Sequence, residues 1–316
     1  MTMPPALAFD AVSCTFAGRD DAARRHTAVQ DVTLAVAPGE FVSVVGPTGC
    51  GKSTLLNLAA GLLAPSSGGV RVFGAPLAGL NARAGYMFQA ESLLPWRTAR
   101  ENVMAGLVFR GWAKAAAGAR ADEWLARVGL QAFGDRYPHQ LSGGMRKRVS
   151  LAQVLVLDPD IILMDEPFSA LDVQTRQLME NELLALWSAS AGERSAAPER
   201  AGPSRGPEAR GVREACERPP DARTSTLTPS GAGSAASRAV LFITHDLDEA
   251  IAMSDRVVVL SAGPAARPIG EFHVGLERPR DVAEIRGHPR FVALHEAIWD
   301  VLRAEVLKGY RAQLAA

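Results

Sequence analysis

Hydrophobic and polar positions change rhythm several times along this chain, and each change predicts an element. Leu7 to Phe16 and Thr33 to Ala37 alternate apolar and polar residues at the period of a strand, and Pro38-Gly39 turns the chain into the apolar run Phe41 to Val45. Leu55, Leu56, Leu58 and Leu62 predict a helix, Pro65-Ser66-Ser67-Gly68-Gly69 stops it, and Val70 to Phe73 returns as a strand. From about Glu91 to Val156 the pattern is helical, with Trp124, Leu125 and Val128 on one face and Asp158-Pro159 as terminator. Two further apolar runs follow, Ile161 to Met164 and Ala239 to Ile243. Such unbroken runs are expected of parallel strands covered on both faces. The order predicts an α/β core with an inserted helical subdomain, preceded by a small antiparallel sheet.

Ser188 to Arg238 breaks every rhythm. Ala, Gly, Pro, Ser and Arg dominate, aromatic residues vanish, and only Val212 and Leu227 could serve a core. The segment is expected to be disordered. Lengthening a short connection about tenfold adds roughly 2 kcal/mol of loop-closure entropy, which a fold of this size absorbs.

With 316 residues, 47% of them hydrophobic, the chain can bury a sizeable core. Its 34 basic residues balance 34 acidic ones, so no global field recruits nucleic acid or an anionic membrane. No apolar stretch approaches the roughly 18 residues that span a bilayer, and Met1 to Asp10 has no signal-peptide pattern, so the chain is expected to stay in the cytoplasm. Cys14, Cys50 and Cys216 are widely separated and no histidine stands at metal-ligand spacing, which supports neither a disulfide framework nor a zinc site. His26, His139, His273, His288 and His295 read as surface or satisfied core histidines.

Chemistry enters directly after the first buried run. Gly46-Pro47-Thr48-Gly49-Cys50-Gly51-Lys52-Ser53-Thr54 places small residues, a lysine and two hydroxyls between a strand and a helix, a cradle for the phosphates of a nucleotide. Lys52 would reach the β- and γ-phosphates and the Ser53 hydroxyl would ligate Mg²⁺. Asp165 and Glu166 stand at the C-terminal end of another apolar strand, where a parallel α/β sheet puts its ligand crevice. Adjacent carboxylates at a strand end point to different sides, so one can hold Mg²⁺ through water while the other faces an attacking water. Gln89 offers an amide that can ligate Mg²⁺ or position water, and Leu141-Ser142-Gly143-Gly144-Met145 forms a second anion site at a helix start.

The order of these motifs resembles the ATP-binding cassette ATPases, the motor subunits of ABC transporters, over nearly the whole chain apart from the low-complexity segment. The resemblance implies a P-loop (RecA-like) α/β core with an antiparallel β-subdomain and an inserted α-helical signature subdomain. The nucleotide-binding domain would span 1–262, with the helical subdomain at about 90–156 and the insert at about 188–238; residues 263–316 would form a partly helical C-terminal extension. ATP and Mg²⁺ are the implied cofactors. By resemblance Asp165 is the Walker B aspartate, Glu166 the general base, Gln89 the Q-loop glutamine and His245, after the strand ending at Ile243, the switch histidine that contacts the γ-phosphate. Ser169-Ala170-Leu171-Asp172 matches the D-loop, with Asp172 at the dimer interface. Phe16 resembles the aromatic that stacks on adenine, although a plain strand or core role reads equally well there. Met145 departs from the family's widest pattern, which has Gln.

One chain has no need of two anion sites. The family resolves this with a head-to-tail homodimer, in which the cradle of one copy and Ser142, Gly143 and Gly144 of the other close on the same ATP. Asp165-Glu166-Pro167-Phe168-Ser169-Ala170-Leu171-Asp172 looks like prokaryotic importer motors, and Leu-Leu-Pro-Trp after Gln89, Leu-Ser-Gly-Gly-Met-Arg, and the tail from Arg278 to Trp299 resemble the nitrate, sulfonate and taurine branch. The implied partners are integral-membrane permease subunits and, indirectly, a periplasmic or lipid-anchored substrate-binding protein, with no nucleic acid. The implied place is the cytoplasmic face of the inner membrane, as a peripheral subunit. Leu94 and Trp96 are candidates for the permease contact, and each reads equally as helical-subdomain core. The competing readings are a non-transport ABC ATPase of the DNA-repair or translation type, and a P-loop kinase, which would leave Leu141 to Met145 without a purpose.

Overall fold

The computed structural model describes residues 3–17, 25–90, 92–169, 171–193 and 238–314. The expected disorder of 188–238 falls largely outside them, as does Ala170. Ten strands and seven α-helices are described, in two sheets. A four-stranded antiparallel sheet runs β2 (Arg25–Val36), β1 (Leu7–Ala17), β4 (Ser67–Val72), β5 (Ala75–Pro76). The second sheet has six strands in the order β10 (Pro268–His273), β9 (Arg256–Leu260), β3 (Phe41–Val45), β8 (Ala239–Ile243), β7 (Ile161–Asp165), β6 (Ala84–Met87). All its pairs are parallel except β10 with β9.

The unbroken apolar runs serve two cores. In β3, Phe41 and Val45 face one cluster while Val42 and Val44 face the other. In β8, Val240 and Phe242 alternate in the same way with Ala239, Leu241 and Ile243. Because neither face is wet, Ser43 is the one polar residue in these two strands, and it is fully buried. One cluster lies between the central sheet, helix α1 (Lys52–Ala59) and the antiparallel sheet. The other buries α2 (Ala99–Phe109), α3 (Lys114–Arg127), α4 (Gly143–Leu155), α5 (Val173–Glu193), α6 (Leu247–Met253) and α7 (Pro289–Leu314).

One expectation is corrected. The helix predicted through Leu62 ends at Ala59, because Gly61 takes φ 71° as a left-handed cap, and Leu62 is half exposed. Past residue 262 the sheet gains β10, paired antiparallel with β9, and α7 packs back on α6, β9 and β10. The long segment between α5 and β8 leaves and returns close together: the Trp187 indole donates to the Arg238 carbonyl at 2.9 Å. Among the described residues no helix is long and apolar enough to cross a membrane.

Candidate functional site

Four parallel strands end at one edge of the sheet. β3 delivers the loop Gly46–Gly51, β7 delivers Asp165 and Glu166, β8 delivers His245 and β6 delivers Gln89. Together they line a cleft of about 480 Å³ bordered by Thr48, Gly49, Gly51, Lys52, Ser53, Thr54, Gln89, Glu166 and His245.

The loop is built by its glycines. Gly49 and Gly51 take φ 76° and 101°, in the left-handed region that side chains disfavour. At Gly46 a Cβ would lie 2.9 Å from Cys50 Sγ and 3.1 Å from the Leu260 carbonyl oxygen. Gly51 then caps α1, whose first turn has no acidic residue to compete with an anion at its N-terminus. The buried Lys52 ammonium donates to the carbonyls of Gly46 at 2.8 Å and Pro47 at 3.1 Å, inside the loop it serves. Cys50 is buried under the loop, which pushes its thiol above the usual range.

Opposite the loop, one oxygen gathers two side chains. The Gln89 amide donates to Glu166 Oε2 at 3.1 Å, and His245 Nδ1 lies 3.2 Å from the same atom. Glu166 is held there by its backbone, which takes φ 43° and donates its N–H to the Ile243 carbonyl at 2.9 Å. A non-glycine residue in that region is uncommon, and such conformations cluster at functional sites. Asp165 is buried beside it. Burial raises its carboxyl above the usual carboxylate range, against the hydrogen bond from the Ser53 hydroxyl and the nearby Lys52 charge.

The other predicted residues lie outside this cleft. Ser142 caps α4, accepting from the Met145 N–H at 3.3 Å. A Cβ at Gly143 would meet only the Arg146 guanidinium, at 3.9 Å, whereas at Gly144 it would come within 2.9 Å of Thr175 Cγ2 on α5. Gly144 therefore admits a neighbouring helix, a packing role that the motif alone did not suggest. Asp172 caps α5 and its carboxyl is lowered by the Thr175 N–H it accepts. Phe16 sits on β1 opposite His26 and is 38% exposed, which removes the core reading.

Three residues around the site gave no signal in the sequence. Lys147 on α4 is buried and donates to the Gln89 carbonyl at 2.8 Å. Arg176 on α5 joins the loop after Glu166 to the loop of His245. Asn102 on α2 is fully buried, accepts from the Leu94 N–H at 2.7 Å and donates to the carbonyls of Leu94, Arg97 and Thr98. It fixes the turn that presents Trp96, 71% exposed; Leu94 is half-buried.

A family profile described as ABC transporter matches residues 29–169. The chain is 38% identical over 288 residues to an uncharacterised ABC transporter ATP-binding protein of Methanocaldococcus jannaschii, a match covering 91% of this chain and 88% of that protein. The chain belongs to the ABC transporter family of ATP-binding proteins. This ABC protein is also 34% identical to the taurine import ATP-binding protein TauB of Pseudomonas aeruginosa, over 93% of its own length and 94% of TauB. Among solved structures, the ATP-binding cassette MJ0796, a dimer in a post-hydrolysis state bound to ADP and Pi, matches with a TM-score of 0.63 and 26% identity. That match covers 86% of this chain and 100% of the cassette. The expected P-loop α/β fold holds, and with it membership of an ATPase family. Ser142, Gly143 and Gly144 are not among the residues that border the P-loop cleft.

Proposed function

We propose that this protein is the ATP-hydrolysing motor subunit of an ABC importer, coupling ATP binding and hydrolysis to uptake of a small solute of the nitrate, sulfonate or taurine type. The carrying observation is the convergence of Gln89 and His245 on one oxygen of Glu166, across the cleft from the phosphate loop. A carboxylate placed there can accept a proton from an attacking water, while Gln89 orients that water and His245 faces the terminal phosphate. Glycines 46, 49 and 51, with Pro47, Thr48, Cys50 and Thr54, shape the cradle, and Lys52 turns from the loop carbonyls to the phosphates.

The donors around Ser53 fit a magnesium ion. Its hydroxyl sits on the buried Asp165, and Gln89 supplies a third oxygen donor from the facing loop. No group of three His, Cys, Asp or Glu residues capable of holding a metal occurs among the described residues. A hydroxyl, one carboxylate and phosphate oxygens make no such group. When bound, the ion would offset negative charge on the β- and γ-phosphates.

Ser142, Gly143 and Gly144 would complete the site of a second copy, with Asp172 at the seam, which gives a twofold homodimer with two composite sites. The dimeric cassette MJ0796 supports that assembly, and TauB supports the import branch. Trp96 and the turn held by Asn102 would dock on a permease, keeping the motor at the cytoplasmic face of the membrane. Phe16 would stack on adenine from the edge of β1. Reconstitution with a cognate permease should give ATP-driven accumulation of taurine, an alkanesulfonate or nitrate. Salt-sensitive DNA binding with no stimulation by any permease would overturn the reading in favour of a non-transport ATPase.

A further inference from the structure

Arg176 stands in the first turn of α5, and its guanidinium reaches two loops at once. Nη1 donates to Asp246 Oδ2 at 3.1 Å and Nη2 donates to the Leu171 carbonyl at 3.3 Å, while Nε lies 3.6 Å from Glu249 Oε1. Asp246 directly follows His245. Its other carboxylate oxygen accepts from the N–H groups of Asp248 and Glu249, so the start of α6 is fixed independently of the arginine. Leu171 directly precedes Asp172, whose side chain and carbonyl cap α5 through the N–H groups of Thr175 and Arg176. The forked, planar guanidinium can serve both acceptors; a lysine ammonium is a single point of charge.

We propose that Arg176 is a positioning residue for ATP hydrolysis, a brace that ties the turn at Leu171 and Asp172 to the loop carrying His245. Engagement of that turn by a second copy would be transmitted through Arg176 to Asp246, and so to the imidazole 3.2 Å from Glu166. The two loops meet the site from different strands, β7 and β8, and the arginine joins them by side-chain hydrogen bonds. The proposal rests on the reading of His245 and Asp172 given above. It adds how the completed dimer acts on the chemistry of its own copy.

The test compares Arg176→Ala and Arg176→Lys with wild type in the full-length chain. In Arg176→Ala, melting temperature is unchanged, and binding of a fluorescent ATP analogue stays within twofold of wild type, as does ATP-driven dimerisation measured in a Glu166→Gln background. Turnover falls at least tenfold with KM little changed, and millimolar guanidinium chloride restores several-fold of it. Arg176→Lys keeps the pair with Asp246 and loses the second contact, so its turnover falls about threefold or more. Wild-type turnover in either variant overturns the brace. So does a loss in Arg176→Ala that tracks lowered melting temperature or weaker ATP binding and ignores guanidinium. If Arg176→Ala does not fold, the lysine variant alone decides, by the same threefold criterion. His245→Ala is measured alongside: wild-type turnover there would remove the reading of the site itself, whereas a dead His245→Ala with an unaffected Arg176→Ala would remove only the brace.

Discussion

Lys147 donates its ammonium to the backbone carbonyl of Gln89 at 2.8 Å, joining the helix that begins at the Ser-Gly-Gly segment to the loop whose side chain holds Glu166. A buried charge committed to a loop carbonyl restrains that loop. Lys147→Met keeps most of the side-chain volume, removes the donor and leaves the carbonyl to find water. The expected result is a loss of about 1–3 kcal/mol of stability in denaturant titration, and a several-fold drop in turnover with unchanged ATP affinity.

Glu166→Gln would remove the proposed base and keep the shape. Turnover should fall by roughly 10²-fold or more while nucleotide binding persists. Wild-type hydrolysis in this variant would end the general-base assignment.

Ser142→Arg would separate the halves of the proposed composite site. Alone it should lack hydrolysis yet bind nucleotide as an isolated chain. Mixed with a Lys52→Ala copy, whose Ser142 is intact, part of the activity should return, because one of the two sites in the heterodimer is then whole. Failure of that mixture to hydrolyse ATP, with both copies folded and dimerising, would count against the composite site.

Glu180 carries the pH prediction. It is fully buried on α5, neither carboxylate oxygen has a hydrogen-bond partner, and burial, reinforced by Glu249, pushes its carboxyl up to about 8. Between the ordinary value of 4.5 and about 8 the folded protein keeps a proton that the unfolded chain has released. Stability from this group is therefore full below about 4.5, declines as pH rises, and is gone above about 8. Glu180→Gln has no proton to lose. Measured against wild type, its unfolding free energy should gain steadily from pH 5 to about pH 8 and then level off, by an amount on the order of a few kcal/mol. A flat difference across that range would reject the buried, protonated state.

The contact between Trp187 and Arg238 makes the long intervening segment replaceable. About six helical residues separate Trp187 from the end of α5, a rise of roughly 9 Å, so a Gly-Ser linker of about eight residues in place of 194–237 can close the chain. Hydrolysis should remain within twofold of wild type. Loss of activity in a folded protein would show that the segment does more than connect.

Much of this architecture was legible because burial on both faces leaves a mark. Phe41 to Val45, Ile161 to Met164 and Ala239 to Ile243 admit hardly a polar residue, and their ends carry the glycines, carboxylates and histidine that a crevice needs. β10 escaped notice because an edge strand half in water alternates over few residues and here includes Pro268 and Gly270. Lys147, Arg176 and Asn102 were invisible for a different reason. Their partners lie on other elements or loops, and an isolated Lys, Arg or Asn on a helix reads as solvated surface until the approach of those elements is known. Gly144 was legible as a position, while its second reason, the close approach of Thr175 from α5, was not.

Asn102 makes the turn from Leu94 to Thr98 rigid before anything touches it, spending one buried amide on four backbone groups. A protein seating on Trp96 meets a finished shape and does not have to order that turn. Association at this corner should then be fast and insensitive to temperature in its rate of fit. Its specificity would be set by the partner's contour, and loosening Asn102 would broaden the range of surfaces accepted while weakening the fit to each.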